Sequence, residues 1–167
     1  MRKVVLNVAI TLDGFIAGPN GEYDWCFTAE DYGMTKFLQS VDTILMGRKS
    51  YEIAVEYGEV YPDKEVILFS TTLQETPFPH IKIVEDNIPD FVRSLTSKPG
   101  KNIWLYGGAI ITAPLMENNM IDEFHLSIHP IVLGNGIPLF KNIKRPLTLA
   151  NSITYPSGLV QSIYKKI

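Results

Sequence analysis

Apolar residues come along this chain in short runs, and the spacing within and between the runs predicts the elements. Runs of branched and aromatic residues at 3–10, 43–46, 65–69, 81–84, 102–106, 123–129, 148–155 and 159–166 read as β-strands. Between the earlier ones lie helical patterns at 30–40, 49–55, 89–97 and 109–118, the last two on apolar spacings of three and four. Strands alternating with helices predict an α/β fold. The C-terminal third has strands without helices, and Tyr155-Pro156-Ser157-Gly158 is a turn tetrad that would join the last two as an antiparallel hairpin. The sheet is therefore expected to be mixed. Pro114 lies inside the last helical pattern and removes one helical hydrogen bond, so that helix is expected to start late or bend.

Several segments carry candidate chemistry. The run Ile103-Trp104-Leu105-Tyr106 breaks into Gly107-Gly108 and then into the helical pattern from Ala109. Adjacent glycines turn tightly and let a ligand approach the backbone. The helix start beyond them offers unpaired N–H groups and a positive dipole end, so an anion such as phosphate is one reading and a bare turn the other. The strand Ile44-Leu45-Met46 ends at Gly47 and is followed at once by Arg48, Lys49 and Ser50. This is either a solvated basic helix start or a phosphate site; cations at a helix start are misplaced unless an anion joins them, and arginine grips phosphate through paired hydrogen bonds.

Leu68-Phe69 closes on Ser70, Thr71 and Thr72, hydroxyls that serve as a cap, a local turn or an anion site. The stretch 8–21 runs from a strand through Asp13-Gly14 to Asn20-Gly21, either as a hairpin-like excursion or as a binding loop. In 123–129, alternation places Phe124, Leu126 and Ile128 on one face and His125, Ser127 and His129 on the other. Both histidines read as hydrogen-bonded strand residues unless a suitably placed partner tunes them.

Composition narrows the classes of function. The 167 residues fit one domain, 1–167, with a sizeable core. The net charge of −3 and the lack of a Lys/Arg-rich block argue against nucleic acid, and no run is long and apolar enough for a membrane span. The lone Cys26 and three scattered histidines give neither a disulfide nor a metal-ligand spacing, so no metal is expected. A small-molecule ligand and a cytoplasmic location are the expectations.

Taken together, these segments resemble the dihydrofolate reductase-like superfamily, and most closely the branch related to the C-terminal reductase domain of bacterial riboflavin biosynthesis. The resemblance rests on Tyr106-Gly107-Gly108, then Ile121-Asp122-Glu123 across one helix, then Pro130 to Gly136, with Leu12-Asp13-Gly14 and Met46 to Ser50 in support. It implies a three-layer α/β/α fold around a mixed, mainly parallel eight-stranded sheet with a C-terminal antiparallel hairpin. It also implies an NADPH site. Ala9, Ile16 and Ala17 would line the nicotinamide pocket, Gly47, Arg48, Lys49 and Ser50 would meet phosphates, and Ser70, Thr71 and Thr72 the adenosine end. Gly107, Gly108, Ala109 and Ile110 would meet the pyrophosphate, with a cis peptide between the two glycines.

On the substrate side, the superfamily's buried acid at the start of the first helix falls near Glu30 or Asp31, which read equally as solvated first-turn acids. Asp24-Trp25 would close over the substrate or simply anchor the loop. The implied activity is NADPH-dependent hydride transfer to a small heterocyclic or carbonyl/imine substrate, in the riboflavin version a phosphoribosylaminouracil. Dihydrofolate reduction and NADP binding without turnover are the alternatives, and a homodimer is the implied assembly.

Overall fold

The computed structural model describes residues 1–85 and 87–167. From the N-terminus it runs β1 (Val4–Thr11), β2 (Phe15–Ala17), α1 (Met34–Ser40), β3 (Val41–Gly47), α2 (Arg48–Glu56), β4 (Glu65–Phe69), β5 (Ile81–Val84), α3 (Ile88–Thr96), β6 (Asn102–Gly107), α4 (Ala109–Glu117), β7 (Glu123–His129), β8 (Ile137–Pro138), β9 (Leu147–Thr154) and β10 (Val160–Lys166). The main sheet has eight strands in the order β5-β4-β3-β6-β1-β7-β10-β9. Strands β5 to β7 are mutually parallel, and β10 runs antiparallel to both β7 and β9.

Both faces of the central strands are covered, so these strands are apolar at nearly every position rather than at alternate ones. Leu45, Ile67 and Leu105 point to one side with Val92, Leu95, Ile111 and Leu115 of α3 and α4. Ile44, Met46, Val66, Leu68 and Trp104 point to the other with Phe37 of α1 and Tyr51 and Ala54 of α2. Leu105 has no exposed surface, and truncating such a side chain to alanine costs about 2–5 kcal/mol. Among the described residues no helix is long and apolar enough to cross a membrane.

The predicted strands all form, but two further short ones, β2 and β8, pair antiparallel in a separate ribbon that the sequence pattern did not reveal. Helix α1 begins at Met34 instead of residue 30, because Tyr32 (φ 48°) and Gly33 (φ 79°) are left-handed and cannot continue a right-handed helix. Pro114 sits inside α4 without delaying its start. The Tyr155–Gly158 turn forms as predicted, with Gly158 N–H donating to the Tyr155 carbonyl at 2.9 Å.

Candidate functional site

The site is built where the chain reverses its winding. β3 and β6 are parallel neighbours, with Met46 opposite Gly107, yet α2 leaves β3 onto one face and α4 leaves β6 onto the other. Such a switch point opens a crevice beyond the carboxyl ends of the strands. Here a cleft of about 1090 Å³ occupies it. The N-caps of α2 and α4 are Gly47 and Gly108, and among the described residues neither helix has a side-chain cap or an acid in its first turn. Two sets of unpaired N–H groups and two positive dipole ends therefore border one cleft.

The glycines are required by geometry. Gly107 and Gly108 have φ of 129° and 98°, and a β-carbon on Gly108 would lie 3.2 Å from the Ser50 hydroxyl, which itself donates to the Gly107 carbonyl at 3.3 Å. A β-carbon on Gly107 would meet nothing within 4 Å. The cis peptide implied for this pair is absent: among the described residues every peptide is trans, and the positive φ values of the two glycines make the turn.

Every residue assigned to cofactor by resemblance lines this cleft: Ala9, Ile16 and Ala17; Gly47, Arg48, Lys49 and Ser50; Ser70, Thr71 and Thr72; Gly107, Gly108, Ala109 and Ile110. Arg48 is half-exposed and reaches Glu52 at only 3.7 Å, so its guanidinium remains available. The Ser70 hydroxyl accepts from the N–H groups of Thr72 (3.3 Å) and Leu73 (3.0 Å), the local-turn role, which holds the Thr71-Thr72 corner at the cleft edge.

The long loop after β1 is tied to a distant segment. Asp13 accepts from the Thr11 hydroxyl at 2.6 Å and from the N–H groups of Leu133 (3.2 Å) and Gly134 (2.8 Å), bonds that hold its carboxyl below the usual range. This joins Leu12-Asp13-Gly14 to the Pro130–Gly136 segment, and β2 pairs with β8 just beyond. The two motifs that looked separate in the sequence are one structure, and the ribbon beyond it brings Ile16, Ala17 and Ile137 to the cleft.

The acids expected on the substrate side do not meet that expectation. Glu30 is exposed and outside the cleft lining. Asp31 reaches the cleft but is also exposed, and it accepts from the Thr35 hydroxyl (2.7 Å) and N–H (3.0 Å), which pulls its carboxyl down rather than up. The left-handed Tyr32-Gly33 pair turns both acids out of the helix they were expected to begin. Neither Asp24 nor Trp25 lines the cleft; Trp25 packs edge-on against His129 at 5.2 Å.

What fills the remaining half of the cleft was missed in the sequence. An aromatic wall runs from His125 through Phe37 (5.6 Å) and Trp104 (5.3 Å) to Tyr61 (5.4 Å) and Tyr106 (4.9 Å). Tyr106 and Tyr61 donate to Glu59 at 3.1 and 3.2 Å, and burial is the main cause that raises both phenols. His125 does have a partner: its Nε2 lies 3.1 Å from Glu123, which also receives Lys3 at 2.8 Å. Only the period-2 alternation of 123–129 hinted at this.

The RibD C-terminal domain family matches residues 2–59 and 59–161. The chain belongs to this family. Its architecture is the dihydrofolate reductase-like α/β/α fold. The uncharacterized protein YyaP of Bacillus subtilis is 42% identical, over 98% of this chain and 94% of its own. A protein of Shewanella sp. PV-4 named for riboflavin biosynthesis superposes with a TM-score of 0.84 at 28% identity, covering 100% of this chain and 99% of that one. The deaminase/5-amino-6-(5-phosphoribosylamino)uracil reductase of Thermotoga maritima shares the fold, with a TM-score of 0.75 at 14% identity over 99% of this chain and 57% of its own.

Proposed function

We propose that this chain is an NADPH-dependent reductase that transfers hydride to a small heterocyclic, carbonyl or imine substrate. The observation that carries the reading is the pair of uncapped helix N-termini at Gly47 and Gly108 on one cleft, with Arg48 and Lys49 placed where a helix dipole disfavours cations. A dinucleotide supplies the missing anions. Gly107 to Ile110 would take the pyrophosphate, Arg48, Lys49 and Ser50 the ribose phosphate, and Thr71 and Thr72 the adenosine end. Ala9, Ile16 and Ala17 would hold the nicotinamide, whose chemistry when bound is hydride donation. The aromatic wall beyond it suits a flat substrate.

Dihydrofolate reduction is disfavoured by the exposure and depressed pKa of Asp31. A phosphoribosylaminopyrimidine remains a candidate substrate within the reading, with Lys36 as a further cation on the cleft. We also propose a homodimer, supported by the exposed apolar edge of β9.

The test is a titration of the purified protein with NADPH and, separately, NADH, followed by thermal shift and by quenching of Trp104, whose ring lines the cleft. NADPH-selective stabilisation is expected. No shift at millimolar NADPH removes the reductase reading, whereas binding without turnover on pterins, pyrimidines and carbonyl compounds favours a binding protein.

A further inference from the structure

Adding hydride to a C=N or C=O carbon leaves the electron pair on nitrogen or oxygen, and that atom must take up a proton. Of the two acids near the start of α1, Glu30 lies outside the cleft and Asp31 is exposed at its edge, so the source has to be sought elsewhere in the cleft. The floor of the sheet offers one. In β7, His125 pairs with Asn7 of β1 on one side and Ile163 of β10 on the other, and all three line the cleft. The next row along is Ala9, Ser127 and Gln161, also on the cleft. With strands ~4.8 Å apart and ~3.3 Å of rise per residue, His125 lies about 8 Å from Ala9 across that diagonal. Such a span accommodates one ring stacked between them.

The surroundings of His125 suit a proton donor. Its Nε2 is 3.1 Å from Glu123 Oε2, and the two side chains retain 18% and 15% of their surface, so the pair is largely withdrawn from water. Nδ1 has no hydrogen-bond partner among the described residues. Phe37 of α1 packs against the ring at 5.6 Å. Lys3 donates to the other Glu123 oxygen at 2.8 Å, and Lys165 stands opposite Glu123 in β10. Burial raises the Glu123 carboxyl, but the bonds from Lys3 and His125 outweigh it and hold it ionised. The facing groups are therefore Glu123, Lys3 and Lys165 around the carboxylate, neutral Asn7 and Ile163 from the neighbouring strands, and Lys36 and Asp31 on the α1 side of the cleft.

We propose that His125 donates the proton that accompanies hydride transfer, and that Glu123 is its positioning residue. This rests on the reductase reading above. As hydride adds to the substrate carbon, the C=N or C=O π pair moves onto nitrogen or oxygen, which takes the proton from imidazolium Nδ1. Glu123 keeps its negative charge throughout and accepts from Nε2, which holds the ring in place. The neutral ring then recovers a proton from solvent. A hydride acceptor with its lone pair on the β7 side of the ring is the substrate geometry this favours.

The experiment is side-chain ¹⁵N NMR of the histidines in the full chain, titrated first with 2′,5′-ADP and then with NADP⁺. The Nδ1 signal of His125 is expected to move with NADP⁺, which brings the nicotinamide, and to stay fixed with 2′,5′-ADP. Glu123→Gln should shift the tautomer balance of His125 and leave NADP⁺ affinity within about twofold. In single-turnover NADPH oxidation by a panel of pterins, aldehydes and cyclic imines, His125→Gln should lose about 100- to 10,000-fold in rate with unchanged NADPH affinity. NADP⁺ binding that shifts the Ala9 amide but not His125 overturns the proposal, as does wild-type turnover in His125→Gln. Failure of both nucleotides to bind overturns the reductase reading itself, a different result.

Discussion

His129 accepts the backbone N–H of Phe27 through Nε2 at 3.1 Å while its Nδ1–H donates to the Ser127 carbonyl at 3.0 Å. The two bonds fix one neutral tautomer and pin the 23–27 loop, which brings Tyr23, Cys26 and Phe27 to the cleft, onto strand β7.

Protonation of Nε2 would remove the acceptor from Phe27. Burial is the main cause that lowers His129 from its ordinary 6.5, outweighing the bonds that favour the charged ring. The depressed pKa means that the neutral ring's stabilisation is complete above about 6.5 and is lost as pH falls toward the folded value, because the unfolded chain takes up the proton first. The melting temperature should therefore fall between pH 7 and pH 5. His129→Gln keeps a side-chain acceptor that does not titrate, so its melting temperature should fall less over the same range. Equal slopes for the two proteins would remove His129 as the cause.

Gly136 shows how tightly the two linked loops approach. A β-carbon there would stand 2.3 Å from the Ala17 carbonyl oxygen and 3.2 Å from the Phe15 ring, and backbone cannot yield as a flexible side chain can. Gly136→Ala should destabilise by about 1–3 kcal/mol, the usual cost of overpacking. Gly58→Ala is the control: it has a positive φ of 73° but open space, so only the left-handed backbone cost of about 1–2 kcal/mol applies. Increased protease cleavage in the 12–22 loop of Gly136→Ala alone would locate the damage at the β2–β8 ribbon. Identical cleavage patterns would refute that location.

Arg48 should distinguish the two nicotinamide dinucleotides. It sits at the first position of α2 with only a 3.7 Å contact to the exposed Glu52, so nothing buried depends on it. Arg48→Ala should weaken NADPH binding by more than tenfold, about 1.4 kcal/mol or more, and NADH binding much less. Fluorescence titration of both nucleotides measures this, and equal losses would free Arg48 from the 2′-phosphate.

The glycine-and-cation side of the cleft was legible because its signals are local. A glycine after a strand, cations at a helix start and paired glycines each carry a backbone reason that survives without a partner, and Gly47, Arg48, Gly107 and Gly108 meet where the reversal of winding brings them together. The aromatic side was not, because its contacts join distant segments. Glu59 and Tyr106, Phe37 and His125, or Phe27 and His129 are neighbours only after the sheet assembles. The expected helix start at residue 30 fails because the left-handed Tyr32-Gly33 pair turns the chain there, and in place of the expected cis linkage stands a trans peptide between two glycines of positive φ.

β9 poses the remaining structural question, since an edge strand normally hides or charges its open side. Here nearly all of Leu147–Thr154 is exposed, including Leu149 at 54% and Ile153 at 42%, and Asn151 and Ile153 also border the cleft. A second copy paired along the open edge of this strand would cover Ile153 on the cleft face and Leu149 on the other, past the register shift in β9, and wall the cleft on that side. Light scattering should give a dimer mass for the wild type, and Ile153→Lys or Leu149→Lys should lower it toward the monomer by placing a charge in a dry contact. The melting temperature of the wild type should then rise with protein concentration, and that of Leu149→Lys should not. A wild type that scatters as a monomer at every concentration would leave β9 an open edge and the cleft complete within one chain.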